Sequence, residues 1–230
     1  MVSNCATPIK GTHMRIVKVD TCGSPVTGTS SLVAVTKGFV QVQMEPQYEE
    51  GDEFFQRTAD GTICVNQKDN AALKRFNLTI DFCEINVSAS AFMVTARELT
   101  VGSSPTTGYG FAMAEGVPTN RFSLEVWQQV AGSGACDPST GAQRYIYHAW
   151  PNIGNGKLGS YTIQNDRSTL QILGETQAAS MVSTIGWGDG PGSGTSWLPA
   201  GQTVQTGEHW LWTITTSAPP TPACSPTTLT

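Results

Sequence analysis

A chain of 230 residues with 39% hydrophobic content can bury a substantial core, and a single decorated domain is expected. The net charge is −5 and no Lys or Arg follows Arg167, which disfavours tight nucleic-acid binding, because that affinity draws on several cations releasing counterions. The 24 glycines and 13 prolines among short β-branched runs point to many strands and turns, and no apolar run reaches membrane-spanning length.

The N-terminal MVSNCATPIK lacks the basic-then-apolar plan of a signal peptide. Reduced thiols are therefore favoured for Cys5, Cys22, Cys64, Cys83, Cys136 and Cys224, although the even count leaves a disulfide reading open. The first strand is expected at Met14 to Val19, followed by turn material in TCGSPVTGTSS. A strand pair is read at Leu32 to Val35 and Phe39 to Met44, with Lys37 and Gly38 at the bend.

Between Gly38 and Gln56 no basic residue occurs, while Glu45, Glu49, Glu50, Asp52 and Glu53 crowd together and end in Phe54-Phe55. Two readings stand: a solvated acidic loop, or an assembly loop whose charges keep free subunits soluble and whose aromatic pair docks on a neighbour. Asp60-Gly61 sets a turn into Thr62 to Val65, and residues 66–72 read as a polar connection.

The organising stretch is KRFNLTIDFCEINVSASAFMVTAREL, residues 74–99. Phe76, Leu78, Ile80 and Phe82 alternate with Arg75, Asn77, Thr79 and Asp81, the period of a half-buried strand. Past Asn86 the period changes, and a helix over 89–99 is predicted, capped by Ser88, with Val87 and Phe92 as a hydrophobic staple. Residues 102–120 read as a long loop. Alternation resumes in RFSLEVWQQV from Arg121, and a hairpin leads to the return strand QRYIYHAW, ended by Pro151. SYTIQ and STLQILGET flank a turn at Asn165-Asp166-Arg167. HWLWTITT is the last strand, with Trp210 and Trp212 expected in the core, and the prolines of APPTPACSPTTLT favour an extended, unpacked tail.

Catalytic signatures are weak. WGDGPGSG lacks the Gly-Lys-Ser/Thr ending of a phosphate loop, the cysteines are isolated rather than paired at metal-ligand spacing, and no nucleophile elbow is present. Carboxylates on strands, Asp81, Glu125 or Glu175, would permit a glycosidase-like reading, but any β-rich chain offers such acids. No catalytic, cofactor or metal residues are assigned. Trp187 and Trp197, in a Gly-rich segment, could stack on sugar or on another protein, which keeps a glycan-binding β-sandwich as the alternative function.

The order of features, RFNLTIDFCEIN into a small helix, GF in a Gly-rich loop, RFSLEVWQQV, a Cys-bearing hairpin, RYIYHAWPNIG, GSYTIQNDRSTLQILGETQ, WGDGP and a terminal APP, resembles the major tail tube proteins of long, flexible-tailed (siphovirus-type) bacteriophages of actinobacterial hosts. The resemblance runs from the first strand to the proline tail. It implies a mainly β, sandwich- or barrel-like subunit with one short flanking helix, divided as residues 1–217 and a Pro-rich tail, 218–230. It further implies a structural virion protein rather than an enzyme. Copies would form sixfold rings that stack into a hollow tube conducting the genome, meeting tail terminator, tape measure and tail-tip proteins, with DNA only as transient cargo and no membrane binding. The location implied is the virion tail, and the host cytoplasm during assembly. Within that picture Asn77, Thr79, Asp81 and Glu125 are expected to face the lumen. Glu49, Glu50, Asp52, Glu53, Phe54 and Phe55 are expected to make the ring-stacking contacts.

Overall fold

Side-chain alternation decides which face of each strand turns inward, and β6 (Ala72–Phe82) obeys it from Arg75 to Phe82. Phe76, Leu78, Ile80 and Phe82 are buried, while Arg75, Asn77, Thr79 and Asp81 are half-exposed. The structure, a computed structural model, describes residues 6–84, 86–102, 107–161, 163, 168–178, 204–224 and 226–227. The other elements are β1 (Thr7–Val19), β2 (Val33–Thr36), β3 (Phe39–Glu49), β4 (Glu53–Arg57), β5 (Ile63–Lys68), α1 (Val87–Met93), β7 (Arg97–Val101), β8 (Thr107–Ala112), β9 (Arg121–Ala131), β10 (Tyr145–Tyr161), β11 (Leu170–Thr176) and β12 (Leu211–Thr215). The protein is mainly β, with one short α-helix among the described residues.

Eight strands form an antiparallel sheet in the order β2-β1-β9-β10-β11-β6-β3, and β12 also pairs with β10. Two small hairpins, β4-β5 and β7-β8, stand apart. β10 is the hinge of the large sheet. Its first half pairs with β9 and β12, and its second half with β11. Strands from opposite ends of the sheet order meet through space: the Phe39 ring of β3 lies against Gly11 of β1, and Trp150 Nε1 lies 3.3 Å from Met44 Sδ. The two halves thus fold over a shared core that includes Met14, Ile16, Leu78, Ile80, Leu124 and Ile172. Among the described residues the sheet does not close into a barrel.

Several expectations are corrected. β1 begins at Thr7, well before Met14. β2 and β3 exist near their predicted places but do not pair with each other: β2 joins β1 and β3 joins β6. Antiparallel partners reward matching hydrophobic faces over sequence proximity. The helix covers only Val87–Met93, and its cap is Asn86, whose side chain accepts from the Ala89 N–H at 3.0 Å. Ser88 instead bonds to Glu98. Thr95 takes a left-handed φ of 53°, which ends the helix and launches β7, so residues 97–101 are strand. β8 then replaces part of the predicted long loop.

Pro151 does not end its strand. It falls at a register shift between Trp150, opposite Leu124, and Ile153, opposite Phe122. β12 pairing stops at Ala149 and β11 pairing starts at Ile153, so the missing N–H falls where partners change. Trp212 is 49% exposed rather than in the core, whereas Trp210 packs against it. The tail, expected to be unpacked, makes backbone contacts with β2. Ala223 N–H donates to the Val35 carbonyl, and Thr227 exchanges backbone bonds with Val33, which covers part of the β2 edge.

Candidate functional site

Two surfaces stand out. The first is the outer face of β3, β6 and β11. Directly opposed residues share a face in an antiparallel ladder. Asn77 therefore sits with Glu45 and Glu175, Thr79 with Gln43 and Leu173, and Asp81 with Gln41 and Gln171. Asp81 accepts from Gln41 Nε2 at 2.7 Å and from Gln171 Nε2 at 3.1 Å. Glu175 accepts from Arg75 Nη1 and from Asn155 Nδ2, both at 2.9 Å. Asn155 is held for that bond by a left-handed φ of 56°, which asparagine tolerates well. The Asp81 and Glu175 carboxylates are thus occupied by amide and guanidinium donors, leaving an amide-rich wall with the exposed Glu45 at its side.

Asn77, Thr79 and Asp81 share that face. Glu125 does not join them. It is fully buried in β9, where it receives both Arg15 Nε and Arg15 Nη2, the latter at 2.8 Å, and the Tyr147 hydroxyl at 2.7 Å. The expectation that Glu125 lines a channel is therefore corrected. Sheet alternation places Glu125 opposite the main core, as read, but a second cluster of Val19, Trp127, Tyr147, Ala149 and Val204 buries that side as well. Burial, and then the Glu125 charge, raise the Tyr147 phenol well above its usual value, so it stays protonated and donates. Glu125 and Glu175 each have their own donors, in different halves of the sheet.

The second surface is an arm. β3 and β6 stay paired as far as Glu49 opposite Ala72. Glu50 and Lys68 form an ion pair at 2.9 Å, Asp69 N–H donates to the Asp52 carbonyl at 2.9 Å, and β4-β5 continues outward. The acidic run is therefore the base and first strand of a hairpin, not a loop. Every residue of β4 and β5 is exposed. Phe54 and Phe55 are each 51% exposed, and Ile63 and Val65 are exposed with them. Period-2 alternation separates the aromatic pair. Phe54 shares its face with Val65, while Phe55 lies on the other side under the Arg57 guanidinium, 5.3 Å from its ring centroid. Of the predicted stacking residues, Glu53, Phe54 and Phe55 are on β4, Asp52 and Glu50 at its base, and Glu49 at the end of β3.

Sequence reasoning missed the extension of the polar wall onto β3 and β11, although Gln41, Gln43 and Glu45 repeat at every second position and Gln171 and Glu175 keep the same phase about Leu173. It also missed Val65 as a same-face neighbour of Phe54, and Ile63 opposite Arg57. Trp187 and Trp197 lie outside the described residues. Among the described residues no three His, Cys, Asp or Glu side chains gather as a metal-binding group. No protein-family model matches the chain, and no curated protein is significantly similar to it.

Proposed function

We propose that this chain is a structural subunit of a self-assembled hollow tube, the major tail tube protein of a long, non-contractile phage tail, built from stacked sixfold rings. The arm carries this reading. A two-stranded hairpin alone is marginal in water, and this one exposes Phe54, Phe55, Ile63 and Val65 together. Such a projection is stabilised when another copy covers it. β3 ends the sheet path and β12 branches from β10, each paired with a single strand among the described residues, and a following copy can complete their free borders.

The amide-rich face suits the inner wall. Its Asp81 and Glu175 carboxylates are engaged by neighbouring side chains, and Arg75 and Lys157 bring scattered positive charge to it. A passing polyanion would meet hydrogen-bonding groups without a cationic stripe that would hold it. Terminator, tape measure and tail-tip proteins would cap or fill the tube, and the chain would act in the virion tail after assembly in the host cytoplasm. Sedimentation and negative-stain imaging of concentrated protein test the proposal. Hollow filaments or rings are expected, and compact single molecules of 24.5 kDa at every concentration would overturn it.

A further inference from the structure

Asn155-Gly156 is the one Asn-Gly pair in the chain. Asparagine amides are chemically labile, above all before glycine, whose missing side chain leaves the next backbone nitrogen open to approach. That nitrogen attacks Asn155 Cγ, the Cγ–Nδ2 bond breaks, and ammonia departs carrying the displaced amide proton. Water then opens the cyclic imide at either carbonyl. The product is an aspartate or its isomer with a lengthened backbone, and each carries a new negative charge.

The closed fold withholds this reaction. Asn155 Nδ2 donates to Glu175 Oε1 at 2.9 Å, and the residue is held at a left-handed φ of 56°. Gly156 is buried, and a Cβ on it would fall 1.9 Å from the Met93 carbonyl oxygen at the end of α1. Imide closure requires the side chain to leave Glu175 and the Asn155–Gly156 peptide to turn, and the Met93 carbonyl leaves that peptide no room. The pair nevertheless sits within a register shift. Gly154 is opposite Glu175 and Lys157 opposite Leu173, so residues 155 and 156 fall outside the regular ladder and a local opening releases them.

We propose that Asn155 is a one-way modification site, withheld while this bulge of β10 is closed and converted when it opens. The product does not fit back. An aspartate at position 155 would set a carboxylate where Nδ2 now donates to Glu175, whose other donor is Arg75, and like charges so close disfavour each other. The isomer adds a backbone methylene beside Gly156, where not even a Cβ fits. Chains that linger open are thereby marked and kept open, whether or not they assemble.

The test ages the full chain at mildly alkaline pH, folded and in urea, and follows position 155 by peptide mapping with mass spectrometry. Conversion should run at least ~10-fold slower in the folded chain, because the reaction must wait for an opening that costs free energy. Glu175→Ala, which releases Nδ2, should raise the folded-state rate several-fold and leave the rate in urea unchanged. Asn155→Asp should lower the urea midpoint of unfolding. Adding Glu175→Gln to that variant should restore the midpoint, because the new amide donates to the new carboxylate. Equal rates in the folded and urea-unfolded chain, a folded-state rate unmoved by Glu175→Ala, or an Asn155→Asp chain as stable as the wild type would each overturn the proposal.

Discussion

The buried Arg15–Glu125–Tyr147 cluster makes the sharpest demand on stability. Glu125→Leu would leave the Arg15 guanidinium, itself fully buried, without its counter-charge, and would strand the Tyr147 hydroxyl that donates to Glu125 at 2.7 Å. Removing one partner of a buried pair typically costs about 3–5 kcal/mol, and an unsatisfied buried hydroxyl about 1–3 kcal/mol more. Single-domain stabilities are only about 5–15 kcal/mol, so this variant should be barely folded. Trp127 is a reporter in place: its ring lies 5.8 Å from the Arg15 guanidinium carbon and 5.1 Å from the Tyr147 ring. Urea titration followed by tryptophan fluorescence should show the midpoint falling sharply. The triple variant Arg15→Met, Glu125→Leu, Tyr147→Phe should recover most of the loss, because apolar groups of similar size replace a buried ion pair at little cost. A loss below about 1 kcal/mol for Glu125→Leu, the scale of an exposed ion pair, would refute the buried geometry.

Three further outcomes are expected. The folded His148 pKa of about 4 lies below its unfolded value of 6.5, so the unfolded chain binds the proton first: this contribution is complete above about pH 6.5 and is lost as pH falls toward 4. The scale is about 3 kcal/mol, and His148→Phe should flatten that part of a stability–pH curve relative to wild type. A Cβ on Gly156 would sit 1.9 Å from the Met93 carbonyl oxygen, so Gly156→Ala should cost about 1–3 kcal/mol by overpacking through displacement of the α1 end, visible as a lower thermal midpoint. Because Asp69 N–H already bonds to the Asp52 carbonyl, replacing residues 53–68 by Asn-Gly should leave the thermal midpoint unchanged while abolishing assembly, read together by calorimetry and sedimentation.

Much of the sheet was legible because alternation is a local signal. Phe76 to Phe82 faced inward in the predicted phase, and Asn77, Thr79 and Asp81 faced outward together. What was not legible depended on partners distant in sequence. β2 and β3 look like a hairpin across Lys37-Gly38, yet each finds a better-matched face elsewhere. Glu125 alternates as though exposed, and only residues distant in sequence, Arg15 110 positions away and the second cluster with Val19, Tyr147 and Val204, turn it into a buried acid. The helix misreading has the same root. Ala, Met, Arg, Glu and Leu through 89–99 favour helix intrinsically, but the left-handed turn at Thr95 and the pairing of β7 with β8 override that weak preference. At the site, the acidic run disguised a strand because its hairpin partner, residues 63–68, carries mostly polar residues on one face.

The most direct measurement is a cryo-electron microscopy reconstruction of the protein assembled at high concentration. The account predicts a hollow tube whose inner wall carries Asn77, Thr79 and Asp81, with the β4-β5 arm buried between copies. A tube with those three side chains on its outer surface, or an arm left in solvent, would contradict it.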